Sequence, residues 1–188
     1  MQSYDPSKLR DVSVPLKDIA SAGLMLLSLV LAVVPLIPHV LRWGFEAGFN
    51  GQGYLLGVIA FVVLIIAHEG MHALGWILFA GVPASAIRFG IMWKTLSPYA
   101  HSTVAMRASG YRVGVILPLI FTGILPVIVG TALNLGWLTA AGAVLVSGAI
   151  GDLLVLWVIR AVPGRALVID HPEKPGCYVV EDSFDPTP

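Results

Sequence analysis

The chain has 188 residues, of which 57% are hydrophobic and 12% charged, and its mean hydropathy is +0.86. Soluble domains carry about 25% charged residues, so a water-facing globular surface is nearly excluded. Eleven Lys and Arg balance eleven Asp and Glu, and a net charge of zero leaves no electrostatic footprint for a nucleic-acid partner.

In chain order, a charged head, residues 1–18, holds Lys8, Arg10 and Lys17 beside Asp5, Asp11 and Asp18. Four apolar runs follow: Ile19–Leu41, Tyr54–Ala80, Val113–Leu133 and Trp137–Ile159. At about 1.5 Å per residue each is long enough to cross a hydrocarbon core of about 30 Å. The first exceeds a signal-peptide core of about 7–15 residues and lacks a convincing small-x-small cleavage site, so it reads as a retained span. Pro35 and Pro38 near its end, and Pro118 and Pro126 in the third run, predict kinks or early unwinding. There are no repeats or low-complexity tracts, and the acidic, Pro-rich end (Glu181, Asp182, Asp185, Pro186, Pro188) is expected to fray.

Orientation follows from the basic residues. The head carries three, the segment between the second and third spans carries Arg88, Lys94, Arg107 and Arg112, and the tail carries Arg160, Arg165 and Lys174. The other side has Arg42 alone. This distribution predicts a multi-pass integral membrane protein with both termini cytosolic, where the single cysteine, Cys177, stays reduced. The expected class is an all-α membrane protein of four transmembrane helices, with a short β-hairpin-like loop between the second and third and a small cytosolic tail. The expected division is a head at 1–18, a membrane domain at 19–160 and a tail at 161–188.

Two acidic residues fall inside the predicted spans, Glu69 and Asp152. An ionisable group at the bilayer centre costs about 2.5–3.5 kcal/mol on insertion scales, which makes each a candidate functional residue. Glu69 belongs to His68-Glu69-Gly70-Met71-His72, the H-E-x-x-H pattern, in a run that is otherwise apolar. Residues four apart share a helix face, so His68 and His72 can offer two imidazoles to one ion, with Glu69 placed to reach a water on it. Two neutral imidazoles and a carboxylate suit Zn²⁺ with a fourth position open, and the metal lowers the pKa of a bound water to about 7. Asp152 is the only other carboxylate at this depth. It serves either as the third ligand or as acceptor for a zinc-bound histidine. Ser147 and Gly151 beside it form a small-x-x-x-small pair that permits close helix approach. His39, His101 and His171 are weaker candidates, His101 the best of them because its loop has the length to fold back over the site. A polar cluster gluing helices together is the alternative for the whole set.

Between the second and third spans, Ile87, Phe89, Ile91 and Trp93 alternate with Arg88, Gly90, Met92 and Lys94. That is the pattern of a strand with one apolar face, and a second extended piece from about Thr95 to Val104 can pair with it. An exposed strand edge holds a substrate extended by strand addition, which makes Phe89, Ile91 and Trp93 candidate substrate-binding residues. The alternative is an interfacial loop anchored by Trp93 and Tyr99. Arg165–Asp170 and Cys177–Glu181 read as two further short strands around a turn with Pro172, Pro175 and Gly176.

The intramembrane H-E-x-x-H is accompanied by Phe89-Gly90, by Leu96-Ser97-Pro98-Tyr99-Ala100-His101, and by Leu117-Pro118 early in the next span. Ser147-Gly148 and Gly151-Asp152-Leu153 follow in the last span, and Asp170-His171-Pro172 with Gly176 in the tail. From about Gly53 to Glu181 the chain resembles the zincin-type (HExxH) integral membrane peptidases, and more distantly the site-2 proteases, zinc enzymes that cleave membrane-spanning segments. The resemblance implies His68 and His72 as zinc ligands, Glu69 as catalytic base and Asp152 as third ligand. Asp152 departs from the Asn-x-x-Pro … Asp-Gly setting of site-2 proteases. The expectation is a zinc metallopeptidase that acts on membrane-spanning or membrane-proximal segments of other proteins, with the lipid bilayer and membrane-protein substrates as partners. Rival readings are a metal-ion or proton transporter built on the same cluster and a catalytically silent zinc-containing membrane adaptor.

Overall fold

The computed structural model describes residues 5–15, 21–46, 51–93 and 97–181. Lys17 and Asp18 of the head, the first residues of the predicted first span, Lys94 to Leu96 and the acidic end from Asp182 lie outside the described residues. In chain order the elements are β1 (Leu9–Ser13), α1 (Ala22–Val33), a 3-10 turn (Val34–Leu36) and α2 (Ile37–Trp43). Next come α3 (Gly51–Ala80), β2 (Ile87–Met92), β3 (Ser97–Ser102), β4 (Met106–Arg107) and α4 (Ala108–Pro118). A π-helical segment (Leu119–Ile124), α5 (Leu125–Ala132), α6 (Gly136–Gly148), α7 (Ile150–Val158), β5 (Leu167–Asp170) and β6 (Gly176–Val180) complete the chain.

Four helical stretches are long and apolar enough to cross a membrane: Ala22–Trp43, Gln52–Ala80, Ala108–Ala132 and Gly136–Val158. Each overlaps a predicted span. The prolines act where expected, because they lack the N–H that an α-helical turn needs and crowd the carbonyl four residues back. Pro35 lies in the 3-10 turn that divides the first stretch, and Pro118 ends α4 where the helix widens into its π segment. Arg112, expected just before the third span, lies inside α4. Its guanidinium donates to Ile159 O at 2.6 Å and to Val162 O, carbonyls past the C-terminal end of α7, where a cation is favoured.

The chain divides into two compact units. One draws its described residues from Met1–Ile19, Glu69–Leu117 and Gly151–Pro188, the other from Ala20–His68 and Pro118–Ile150. In the second unit small residues let helices approach. A Cβ on Gly142 would stand 2.8 Å from Gly123 O and 2.9 Å from Val127 N. Polar side chains join the helices there: Ser28 Oγ meets Ser147 Oγ at 2.7 Å, His39 Nδ1 meets Thr139 Oγ1 at 3.3 Å, and Trp43 Nε1 donates to Thr131 O at 2.7 Å. Met25, Leu26 and Leu29 of α1 are exposed.

The first unit contains a four-stranded antiparallel sheet in the order β1-β6-β5-β4. The two tail strands match the sequence reading, but β1 and β4 at its outer edges do not appear in it. The all-α class is therefore corrected to a mostly helical fold with two small sheets, in which part of the head is a strand. Leu9 to Ser13 pair with Val180 back to Gly176. Gly176 adopts φ +135, and a Cβ there would stand 2.5 Å from Ser13 Cα, so only glycine fits the close approach to β1. Val168, Cys177 and Val179 are buried with Trp76, Tyr111, Val155 and Ile159 in one apolar cluster. Burial, reinforced by the charge of Asp170, pushes the Cys177 thiol up to about 12, which keeps it protonated.

Candidate metal centre

Helix α3 runs through thirty residues without a break and carries the H-E-x-x-H pattern on a single face. One candidate ligand atom from each of His68, Glu69 and His72 lies within 4.8 Å of the others. Both imidazoles are buried, so a polar partner is needed at each ring nitrogen that does not face a ligand.

His72 Nδ1 stands 3.0 Å from Gly114 O. A carbonyl oxygen can only accept, so Nδ1 carries the proton and Nε2 presents its lone pair. His68 Nδ1 stands 3.2 Å from Thr122 Oγ1, whose own hydroxyl donates to Pro118 O at 2.7 Å. With that proton committed, Thr122 accepts from His68, and the same tautomer follows. Holding the outer nitrogen in this way is what a histidine ligand needs for a fixed ring orientation and a basic Nε2. The His72 ring further stacks on Trp76 (centroids 5.8 Å apart), which stacks in turn on Tyr111 at 5.8 Å.

Asp152 sits in the first turn of α7. Its Oδ1 is 3.5 Å from His72 Nε2. A tetrahedral zinc with ligands at about 2.0–2.2 Å keeps its donors about 3.3–3.5 Å apart, so this pair has a separation suited to one shared ion. Two imidazoles held through Nδ1, with the Glu69 and Asp152 carboxylates beside them, form a donor set that fits Zn²⁺.

The other histidines are engaged elsewhere. His39 is buried against Thr139. His101 binds Asp170 through Nδ1 at 2.8 Å. His171 shapes the turn between β5 and β6: its Nδ1 accepts the N–H groups of Glu173 and Lys174, both at 3.0 Å, and its ring stacks on Tyr178. Burial pushes its imidazole below the usual value, outweighing the charge of Asp11. Phe89, Ile91 and Trp93 are exposed on or just beyond β2, at 61%, 49% and 76%. β2 pairs antiparallel with β3, Arg88 opposite His101 and Ile91 opposite Pro98, as the alternation predicted.

Thr122, the Gly114 carbonyl and Trp76 are contributors that the sequence reading did not include. Pro118 was the available signal: the wider turn after it sets where Thr122 falls. Thr122→Val keeps the side-chain shape and removes the acceptor. It is expected to weaken zinc binding by about 10–100-fold, measured by competition with a chromogenic chelator. Unchanged affinity would mean that the hydroxyl does not orient His68.

The family model described as "Putative zincin peptidase" matches residues 61–167. No curated protein and no solved structure matches the chain. The matched residues include the whole H-E-x-x-H pattern, the hairpin and Asp152, and stop short of Asp170. They cover more than half of the chain, and together with the buried histidines and their held tautomers they establish that the protein belongs to this zincin peptidase family.

Proposed function

We infer that the protein is an intramembrane zinc metallopeptidase, cutting peptide bonds in membrane-spanning or membrane-proximal segments of other proteins in the manner of the site-2 proteases. The observation that carries this reading is the pair of histidines held through Nδ1 by Thr122 and the Gly114 carbonyl, with the Glu69 carboxylate grouped beside them. His68, His72 and Asp152 would hold Zn²⁺. When bound, the ion supplies Lewis acidity at the scissile carbonyl and a water acidic enough to ionise near neutral pH. Glu69 takes the proton of the attacking water and returns it to the leaving nitrogen, so that the C–N bond breaks with its electron pair on a neutral amine.

The apolar setting supports the substrate class. The pattern lies in a helix long and apolar enough to span a bilayer. A helical substrate hides its carbonyls, so it must be extended before attack. The two-stranded hairpin with Phe89, Ile91 and Trp93 is suited to pair with such a segment. With ten of eleven basic residues on one side, the hairpin and both termini face the cytosol.

The test uses the full chain in lipid nanodiscs with a single-span reporter protein. About one zinc per chain is expected, with cleavage lost on chelation and restored by added zinc. Site-dependent zinc flux with no new reporter N-terminus would favour a transporter. Bound zinc with neither flux nor cleavage would favour a silent adaptor.

A further inference from the structure

Asp170 closes β5 on the core-facing side of the four-stranded sheet, opposite Cys177. It is 8% exposed, and a buried carboxylate persists only with charge-assisted partners. Its Oδ2 accepts from His101 Nδ1 at 2.8 Å and from the backbone N–H of Ser102 at 3.3 Å. Its Oδ1 accepts from the Tyr111 hydroxyl at 3.0 Å, which also lies 2.9 Å from Gly176 O. Two of the three donors belong to the end of β3.

The Ser102 bond fixes more than position. In an antiparallel ladder, residues alternate between pairs that exchange hydrogen bonds and pairs whose N–H and C=O point outward. The N–H of Thr103 bonds to Ala86 O. The next pair, Ile87 with Ser102, is therefore an outward-pointing one, and Ser102 spends its outward N–H on Asp170. By the same alternation Ile87, Phe89 and Ile91 direct their backbone groups away from β3. The second side of β2 pairs with no strand among the described residues. The two edges of the hairpin thus differ: the base of β3 is tied to the four-stranded sheet through Asp170, whereas among the described residues the base of β2 is engaged only locally, Arg88 Nη1 donating to Ile87 O, and beyond it Phe89 and Ile91 carry large exposed side chains.

We propose that Asp170 is a positioning residue for substrate, anchoring the hairpin through His101 and Ser102 so that an extended segment pairs with the outer edge of β2 and not with β3. This rests on the reading of the hairpin as a strand-addition site. A two-stranded hairpin is marginal by itself. The buried Ala86 and Ile87 hold one strand at its base, and Asp170 holds the other. The carboxylate does not touch substrate; it acts through the hairpin.

The experiment compares Asp170→Asn, His101→Ala and a Lys174→Gln control in the full, zinc-loaded chain in nanodiscs. Hydrogen exchange of the β2 and β3 amides and reporter cleavage are both followed. Asp170→Asn is expected to speed exchange of the hairpin amides by about tenfold, with the amides of α3 and the zinc content unchanged. KM should rise by about tenfold with kcat within about twofold, since lost positioning weakens binding without altering the chemistry. His101→Ala, which leaves the Tyr111 bond to Asp170 intact, should act in the same direction if Asp170→Asn does not fold, and Lys174→Gln should match the unaltered chain. Hairpin exchange unchanged in a folded variant would overturn the proposal, as would a fall in kcat at constant KM. Should no form cleave the reporter, the peptidase reading fails. Exchange then decides the anchoring alone, faster exchange supporting it and unchanged exchange overturning it.

Discussion

Glu69→Gln is expected to lower kcat for reporter cleavage by about 10²–10⁴-fold, the range that a positioned general base contributes. The amide keeps the shape and length of the carboxylate but cannot accept a proton at neutral pH. Zinc content should stay near one per chain, because His68 and His72 keep the acceptors that orient them. The variant also removes an ionisable group from an apolar helix, where charge is costly, so its unfolding midpoint should not fall. Loss of activity with zinc and stability retained separates the base from the ligands. Activity within about tenfold of the unaltered protein would remove Glu69 from that role, and loss of zinc would make it a ligand instead.

The second large effect is expected at a residue with no side chain. A Cβ on Gly114 would stand 2.2 Å from Trp76 Cδ1 and 2.3 Å from its Nε1, and one on Gly75 would stand 2.5 Å from Gly114 Cα. Neither helix can yield alone, because the obstacle to Gly114 is a buried ring stacked between His72 and Tyr111. Gly114→Ala must push α3 and α4 apart or turn the indole. Overpacking of this kind costs about 1–3 kcal/mol, and displacing the Gly114 carbonyl also frees the His72 ring. Both a lower unfolding midpoint and zinc affinity weakened by about 10–100-fold are expected. Gly70→Ala, on α3 with nothing within 4 Å of the added carbon, should instead leave stability unchanged or raise it by about 0.5–1 kcal/mol. Equal behaviour of the two variants would show that close helix approach does not support the metal centre.

What could be read in advance depended on how locally each feature is encoded. The four long apolar helices follow from composition, and the pairing of His68 with His72 follows from helix periodicity. The hairpin follows from the alternation Ile87-Phe89-Ile91. β1 was hidden because Leu9-Arg10-Asp11-Val12-Ser13 neither alternates nor concentrates β-formers; it is a strand because Gly176 leaves room for it at the edge of β6. β4, two residues long, is too short for any pattern. The partners of the two histidines were also illegible. One is a backbone carbonyl, which has no residue identity, and the other is a threonine whose angular place depends on a π turn after Pro118. His101 reads only as the best of three weaker candidate ligands, and its bond to Asp170, 69 residues away, leaves no local signal.

The pairing of Leu9–Ser13 with Gly176–Val180 has a consequence for how the protein is made. The strand synthesised near the start of the chain cannot find its place until the strand near residue 180 has left the ribosome, after all four long apolar helices. Loop closure on that scale is slow. Through the interval β1 lacks β6, the strand it pairs with in the folded protein. Completion of the four-stranded sheet is therefore a late event, and any folding of the long apolar helices during synthesis precedes the pairing of β1 with β6.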